Sequence, residues 1–293
     1  MERRPDALAS CSRRRSQYGR ARTQAAAALT GRGLLEMGAG DRLTAINTFA
    51  AAIEAAPQDA HAQFNLGMAL FQEGRAAEAE HHFARTVALR SRYPRGHLAL
   101  GATFSALGRN AEALPQYQRA VHVDPQDAAA HYELATLLTR LQRLERAIEH
   151  YEHTLQLAPR HASARTNLYL VLVAMRRHAE AISVLRDWLA VEPDQTHAME
   201  MLAWSLATTP DAALRDGDEA IALAEQAVRA GSDRLPEALN TQAAALAEAG
   251  RFDEAISIAQ QALEEARQRQ NSTLAHEIQT NLRLFEAGSP VRQ

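Results

Sequence analysis

The chain has 293 residues, of which 46% are hydrophobic and 23% are charged, a composition typical of an ordinary soluble protein with a large core. Its formal net charge is −3, so the chain as a whole has no electrostatic preference for nucleic acid or for a membrane surface. A single cysteine, Cys11, excludes an internal disulfide. The longest apolar run, residues 168–175, is too short to span a bilayer.

The first 25 residues are basic, with arginines far outnumbering Glu2 and Asp6. Such a segment could be an arm that binds nucleic acid or an anionic surface, but no aromatic ladder or folded reader accompanies it. We therefore expect residues 1–25 to be a disordered arginine-rich tail. Residues 8–11 look like a bacterial lipoprotein cleavage box, but no apolar segment precedes them. As given, the sequence predicts a cytoplasmic protein, whereas a start codon upstream of Met1 would favour a periplasmic or lipid-anchored one.

The middle of the chain repeats itself every 34 residues. The repeating alanines are Ala45, Ala79, Ala113, Ala147 and Ala181. A large side chain follows each of them four residues later, at Phe49, Phe83, Tyr117, Tyr151 and Leu185. Twelve residues before each alanine stands a small residue, at Gly33, Gly67, Gly101 and Ala135, until Tyr169 interrupts the column. Self-similarity at a fixed period of this length predicts a stack of structural repeats.

Each repeat is predicted to be a helical hairpin. Glycines at residues 40, 74 and 108 divide the repeats into two apolar-periodic stretches, each long enough for three to four helical turns. Glycine can adopt the left-handed conformation that ends the first helix. The small residue and the alanine allow the two helices to cross closely, and we expect the large side chain to fill the wedge between neighbouring hairpins.

These columns resemble the bacterial type of tetratricopeptide repeat (TPR). The clearest match is residues 101–113, GATFSALGRNAEA, followed by Tyr117, Ala120 and Pro125. The resemblance implies an all-α fold, a right-handed α-solenoid superhelix of about seven helical hairpins with a C-terminal capping helix. It also implies a non-enzymatic scaffold for protein–protein interaction.

The pattern predicts the repeat boundaries. We place seven repeats at residues 26–59, 60–93, 94–127, 128–161, 162–195, 196–235 and 236–269. The sixth repeat is longer because residues 209–217 are inserted between its helices, where we expect a loop. Residues 270–288 are predicted to form the capping helix, with one apolar stripe at Leu274, Ile278, Leu282 and Phe285, and residues 289–293 a second disordered tail.

The sequence lacks the motifs of common enzyme classes. It has no phosphate-binding glycine loop, no zinc-type histidine pair around a glutamate and no nucleophile elbow. We therefore expect no catalytic activity, no cofactor and no small-molecule substrate. His150 and His153 have a spacing that could hold a metal, but a solvated polar face is the favoured interpretation. Self-association through the stacked ends or through the inserted loop stays open.

In proteins of this type, the first helices of successive repeats line a concave face that grips a peptide. Projection of the helical period onto those helices predicts the groove residues. The apolar members are Phe64, Met68, Phe71, Leu98, Tyr132, Leu170 and Trp204, and the polar members are Asn65, Arg95, Arg140 and Asn167. Amide and guanidinium groups beside an apolar strip suit peptide capture, although several of these aromatics could instead pack between helices.

The last third of the chain leaves a second hypothesis open. Residues 202–217 and 284–288 resemble C-terminal repeat regions of bacterial proteins, some of them attached to membrane-embedded or secreted machinery. The alternative to a general scaffold is therefore an accessory subunit, or a detached repeat domain, of a bacterial envelope- or glycan-processing enzyme system.

Overall fold

Fifteen α-helices and one 3-10 turn make up the regular structure in the part of the chain that the computed structural model describes, residues 4–231 and 234–292. Side chains are described from residue 18 onward within those ranges. The fold is an all-α solenoid of helical hairpins, which confirms the predicted fold class. The chain divides into two units, residues 1–143 (unit 1) and 144–293 (unit 2).

Unit 1 contains seven helices in which each helix packs against the next. They are α1 (Arg4–Gly38), α2 (Arg42–Ala55), α3 (Ala60–Gln72), α4 (Ala76–Leu89), α5 (Pro94–Ala106), α6 (Asn110–Val123) and α7 (Ala128–Arg140). The first helices of the hairpins, α1, α3, α5 and α7, also contact one another in succession. Their side chains therefore form a shared layer.

Unit 2 contains eight helices, each of which packs against the next. They are α8 (Leu144–Leu157), α9 (Ala162–Ala174), α10 (His178–Val191), α11 (Thr196–Thr208), α12 (Gly217–Arg229), α13 (Leu235–Glu248), α14 (Phe252–Gln268) and α15 (Ser272–Glu286). The inserted segment between α11 and α12 is the predicted loop and carries the 3-10 turn Ala212–Leu214. The last helix, α15, packs against α13 and α14.

The hairpin turns follow from residue types at their ends. Asp59 caps α3 through its carboxylate, which accepts hydrogen bonds from the backbone N–H groups of the first turn. Gly74 ends the first helix of its repeat with a φ of +76°, as predicted. In two later repeats the same position is held by Gln142 and Arg176, with φ of +56° and +59°. The backbone of these two residues is in the left-handed conformation, which costs more free energy for them than for glycine.

The small-residue column lies where the two helices of a hairpin touch. A methyl group at Gly67 would come within 2.7 Å of the Phe83 ring, and one at Gly101 equally close to Tyr117. The large side chain therefore packs against the glycine of its own hairpin. We had predicted only that it fills the space between neighbouring hairpins. Tyr117 also reaches the next hairpin, since its hydroxyl lies 3.5 Å from a carboxylate oxygen of Glu133.

Tyr169 reverses the size pattern of its hairpin without loss of packing. The large residue now stands on the first helix, and Leu185, fully buried, occupies the place of the usual aromatic. The Tyr169 hydroxyl lies 2.8 Å from the Ser205 hydroxyl on the next first helix. Burial and this neighbour act in opposite directions on the pKa of Tyr169, and burial raises it overall.

We predicted a disordered tail over residues 1–25, whereas the structure gives a helix from residue 4 onward and residues 1–3 lie outside its described part. Helix α1 runs without a break from Arg4 to Gly38. Arg22 explains part of this order, because its Nε and Nη2 donate to the carbonyl oxygens of Ala55 and Glu54 at 3.0 and 3.1 Å. A guanidinium at the C-terminal end of α2 satisfies its last carbonyls and interacts favourably with the helix dipole.

Replacing Arg22 with alanine is expected to lower the free energy of unfolding by about 1 kcal/mol, because two carbonyl groups lose a charged donor. Chemical denaturation followed by far-UV circular dichroism measures the change. Arg20→Ala is the matched control, since it removes the same charge from an exposed position of the same helix. Equal losses in the two variants would show that charge, and not the contact with α2, matters.

We predicted a second disordered tail over residues 289–293; residues 289–292 have no regular secondary structure, but two of them make side-chain contacts with the repeats. Val291 is buried. Arg292 forms an ion pair with Glu248 at 2.6 Å, and it donates to the carbonyl oxygen of Ala207 at 3.3 Å. Glu248 also pairs with Arg215 of the inserted loop at 2.8 Å, so one carboxylate holds both the tail and the loop. Gln293 lies outside the described residues.

Candidate functional site

Two pockets open beside the first helices of the repeats, one in each unit. Equivalent positions of different repeats line them: Met68 and Ala102 in unit 1 occupy the same place in their repeats as Leu170 and Trp204 in unit 2. The 34-residue period puts these residues on the same face of each first helix. Both pockets are therefore lined by residues whose position the repeat determines.

The unit-1 pocket has a volume of about 250 Å³ and is mostly apolar. Five of its residues were predicted as groove residues: Phe64, Met68, Phe71, Arg95 and Leu98. The others are Phe83, Ala99, Ala102, Ala129 and Glu133. One guanidinium and one carboxylate balance each other in charge, so the pocket suits an uncharged apolar side chain.

Phe64 is the fixed wall of the unit-1 pocket. Only 6% of its surface is exposed, because its ring packs edge-on against Tyr93 with centroids 5.3 Å apart and against Phe83 at 5.7 Å. The guanidinium of Arg95 lies 5.5 Å from the Phe64 ring centroid, within the range of a cation–π contact. Phe64 thus belongs to the core as well as to the pocket, whereas Met68, Phe71 and Leu98 are half-buried.

The unit-2 pocket is larger, about 420 Å³, and more polar. Side chains of α9, α11, α13 and α15, together with Arg234 directly before α13, form it. Its apolar residues are Tyr169, Leu170, Met201, Trp204 and Leu274, of which Leu170 and Trp204 were predicted. Its charged and titratable residues are His197, Glu200, Arg234, Glu237 and Glu277, and the remaining polar residues are Thr166, Asn240 and Thr241.

Arg234 organises the charges of the unit-2 pocket. Its Nη1 donates to Nδ1 of His197 at 2.9 Å, and its guanidinium lies 3.8 Å from a carboxylate oxygen of Glu200 and 3.8 Å from one of Glu237. A guanidinium has no acceptor, so Nδ1 of His197 accepts and Nε2 carries the proton. Burial, and secondly the charge of Arg234, lower the pKa of His197, which keeps the imidazole neutral at pH 7.

One buried hydrogen bond and one ion pair hold the walls of the unit-2 pocket in place. The side-chain amide of Asn281 on α15 donates to the side-chain oxygen of Asn240 on α13 at 3.2 Å, and both residues are buried. Glu200 is only 6% exposed. A buried carboxylate needs a charged neighbour, and Arg234, directly before the start of α13, supplies one. The capping helix is therefore part of the pocket as well as of the fold.

Four predicted groove residues do not line either pocket. Asn65, Tyr132 and Asn167 are half-buried on first helices, and Arg140 is exposed at the end of α7. The Nη1 group of Arg140 donates to the side-chain oxygen of Asn110 at 3.3 Å. A role for these four residues in binding stays a prediction.

Sequence reasoning missed the charged half of the unit-2 pocket. Glu200 stands in the same repeat position as Phe64 and Leu98, so the 34-residue spacing carried a signal for it. Arg234 and Glu237 follow His197 and Glu200 by 37 residues, because the inserted loop shifts the register. That shift hides the equivalence from a search at a constant period.

The described residues offer neither a metal cluster nor a membrane span. Between residues 18 and 292, with residues 232 and 233 left aside, no three His, Cys, Asp or Glu side chains converge as ligands. The rings of His150 and His153 lie 6.5 Å apart on the same helix. Among the described helices, none combines the length and the apolar character needed to cross a bilayer.

Solved structures with a similar fold include proteins of Pseudomonas aeruginosa and Parabacteroides merdae. PilF of Pseudomonas aeruginosa is 19% identical and aligns with a TM-score of 0.59 over 74% of this chain and 97% of its own. A TPR protein of Parabacteroides merdae is 16% identical, with a TM-score of 0.57 over 90% of this chain and 99% of its own. YrrB, described as a TPR protein with an unusual peptide-binding site, is 20% identical, with a TM-score of 0.51 over 58% and 88% of the two chains. These identities show likeness of fold alone.

The family model of the tetratricopeptide repeat matches residues 30–94, 98–162 and 211–270, more than half of the chain. Comparison with curated proteins gives no match. The matched segments contain four of the five column alanines, Ala45, Ala79, Ala113 and Ala147, and the hairpin turns at residues 40, 74, 108 and 142. The chain therefore belongs to the tetratricopeptide repeat family.

Proposed function

We propose that this protein is a non-catalytic scaffold that binds a peptide or protein segment along the first helices of its repeats and so assembles a complex. The TPR fold supports a role in protein–protein interaction. The structure of YrrB, a protein of similar fold, is described as having a peptide-binding site. An extended peptide presents alternate side chains to one surface, and such side chains need pockets at intervals.

The observation that carries this proposal is the shared construction of the two pockets. In each unit, side chains at equivalent repeat positions leave a cavity with an apolar floor and polar groups beside it. Met68 and Leu98 in unit 1, like Leu170 and Trp204 in unit 2, keep part of their apolar surface exposed in a folded chain. Exposed apolar side chains in a concavity are typical of interaction sites.

Selection from a random peptide display library with the full chain tests the proposal. We expect peptides whose binding is weakened about tenfold or more by Met68→Glu, because a carboxylate would then lie among the aromatic side chains of the unit-1 pocket. Ala84→Glu is the matched control, since it adds the same charge at an exposed position of α4 outside the pocket. A library that yields only peptides indifferent to Met68→Glu and to pocket changes in unit 2 would contradict the proposal.

A second prediction concerns Trp204, which forms part of the unit-2 pocket. Replacement by alanine is expected to weaken binding of a selected peptide by more than about 1 kcal/mol, because buried tryptophans at interfaces contribute large binding energies. Isothermal titration calorimetry measures the affinity, and circular dichroism checks that the helical content is unchanged. Tyr132→Ala provides a comparison, since Tyr132 lies outside both pockets. Loss of affinity in Tyr132→Ala alone would move the binding surface to α7.

A further inference from the structure

We propose that the unit-2 pocket binds a basic side chain, arginine or lysine, of the peptide partner. This inference rests on the proposed function and specifies the chemistry of the partner. It follows from three features of the pocket: its charge balance, its exposed apolar wall and its volume.

The side chains that line the unit-2 pocket carry a net negative charge. Glu200, Glu237 and Glu277 contribute three carboxylates, whereas Arg234 contributes the single guanidinium. His197 adds no positive charge at pH 7, because its imidazole accepts a hydrogen bond from Arg234 and its pKa is lowered by burial. A cation that enters the pocket therefore meets an excess of negative charge at close range.

An acidic partner would find no comparable site there. Arg234 already lies within 3.8 Å of the carboxylates of Glu200 and Glu237 and donates to His197. A carboxylate brought to Arg234 would have to approach between these two glutamates. Like charges at such distances oppose binding. The site thus selects against acidic side chains as well as for basic ones.

The apolar wall suits the stem of a long basic side chain. Leu170 is 53% exposed, and Trp204 is half-buried beside it in the pocket. Arginine and lysine bury their methylene stems against apolar surface while the charged head reaches polar groups. An indole ring also attracts a cation placed over its face. Leu170 and Trp204 would therefore hold the stem, and Glu237 and Glu277 would pair with the head.

The two pockets differ in a way that supports this specificity. The unit-1 pocket is smaller, about 250 Å³ against 420 Å³, and its single guanidinium and single carboxylate balance. It offers no reason to prefer a charged side chain. The unit-2 pocket combines room for a long side chain with unbalanced carboxylates, so the preference for a base belongs to that pocket alone.

Peptide display with the full chain, followed by affinity measurements on a selected peptide, tests the inference. We compare the wild type with the double variant Glu237→Gln/Glu277→Gln. The matched control is Glu149→Gln/Glu286→Gln, which removes two exposed carboxylates of unit 2 outside the pocket. We expect wild-type selections to contain arginine or lysine at one recurrent position. Replacing that residue of the peptide by glutamine should raise Kd about tenfold.

The same replacement in the peptide should change Kd by less than about twofold in the Glu237→Gln/Glu277→Gln variant, and by the full factor in the control variant. Selected peptides without a recurrent basic residue, or a preference for a base that survives in the double variant, would overturn the inference. Binding that still depends on Met68 or Trp204 would leave the scaffold proposal standing in that case. Failure to select any pocket-dependent peptide would instead contradict the proposed function itself.

Discussion

Replacing Phe285 with alanine is expected to lower the free energy of unfolding of unit 2 by about 3 to 5 kcal/mol, the usual cost of removing a buried phenylalanine. Phe285 is 1% exposed and lies on the buried stripe of α15 with Leu274 and Ile278. This helix covers α13 and α14 at the end of the repeats. A terminal repeat needs such a cover because its apolar face has no following neighbour.

Tryptophan fluorescence can measure this loss in the free energy of unfolding of unit 2. The chain has two tryptophans, and both of them, Trp188 and Trp204, belong to unit 2. A guanidinium titration followed by fluorescence therefore reports on that unit. Leu284→Ala is the matched control, because Leu284 is adjacent on α15 but 37% exposed, and we expect a much smaller loss. Equal losses for the two variants would mean that α15 does not act as a cap through its buried stripe.

The repeat architecture could be predicted because its causes are local and recur. Gly74 shows this, since a left-handed residue must end the first helix and glycine adopts that conformation at the lowest cost. The fully buried Ala79 and Phe83 show it as well, because a close helix crossing requires a small residue at one fixed place and a large one a turn later. A single period of 34 residues carries both signals.

The contacts of the two tails could not be predicted in the same way, because they join residues that are distant in sequence. Arg22 bonds to carbonyls more than 30 residues away, and Arg292 pairs with Glu248. Composition alone marks both segments as polar ends of the chain, and polar ends are commonly disordered. The hydrogen bonds and the ion pair of these segments do not follow the 34-residue period, so the period does not predict them.

The lining of the pockets could be predicted in part. Helical projection selected Phe64, Met68, Phe71, Arg95 and Leu98 because their position in the repeat determines which way they face. The charges of the unit-2 pocket required knowledge of which first helices are neighbours after the insertion. Glu200 lies on α11 and Arg234 directly precedes α13, so their pairing depends on the altered register. Several apolar residues of the pockets could thus be predicted from the sequence, whereas the charged residues of the unit-2 pocket could not.

Replacing Gly101 with valine is expected to destabilise unit 1 by about 3 kcal/mol, at the upper end of the usual cost of overpacking. The first added carbon would lie 2.7 Å from Cδ1 of Tyr117. Tyr117 is 1% exposed, so its ring is enclosed by other residues that would have to shift with it. Valine has a better helix propensity than glycine, and any loss of stability therefore arises from the crossing of α5 and α6. Chemical denaturation followed by far-UV circular dichroism measures it.

Gly31→Ala separates packing from propensity in the same unit. Gly31 lies inside α1, and a methyl group there would meet no atom within 4 Å. We expect this variant to gain about 0.5 to 1 kcal/mol, because alanine loses less conformational entropy in a helix than glycine does. Opposite signs at the two glycines would show that the column glycines are retained for contact between helices. A stabilising Gly101→Val would mean that α5 and α6 can separate at little cost, and the close crossing would then not be what determines the spacing of each hairpin.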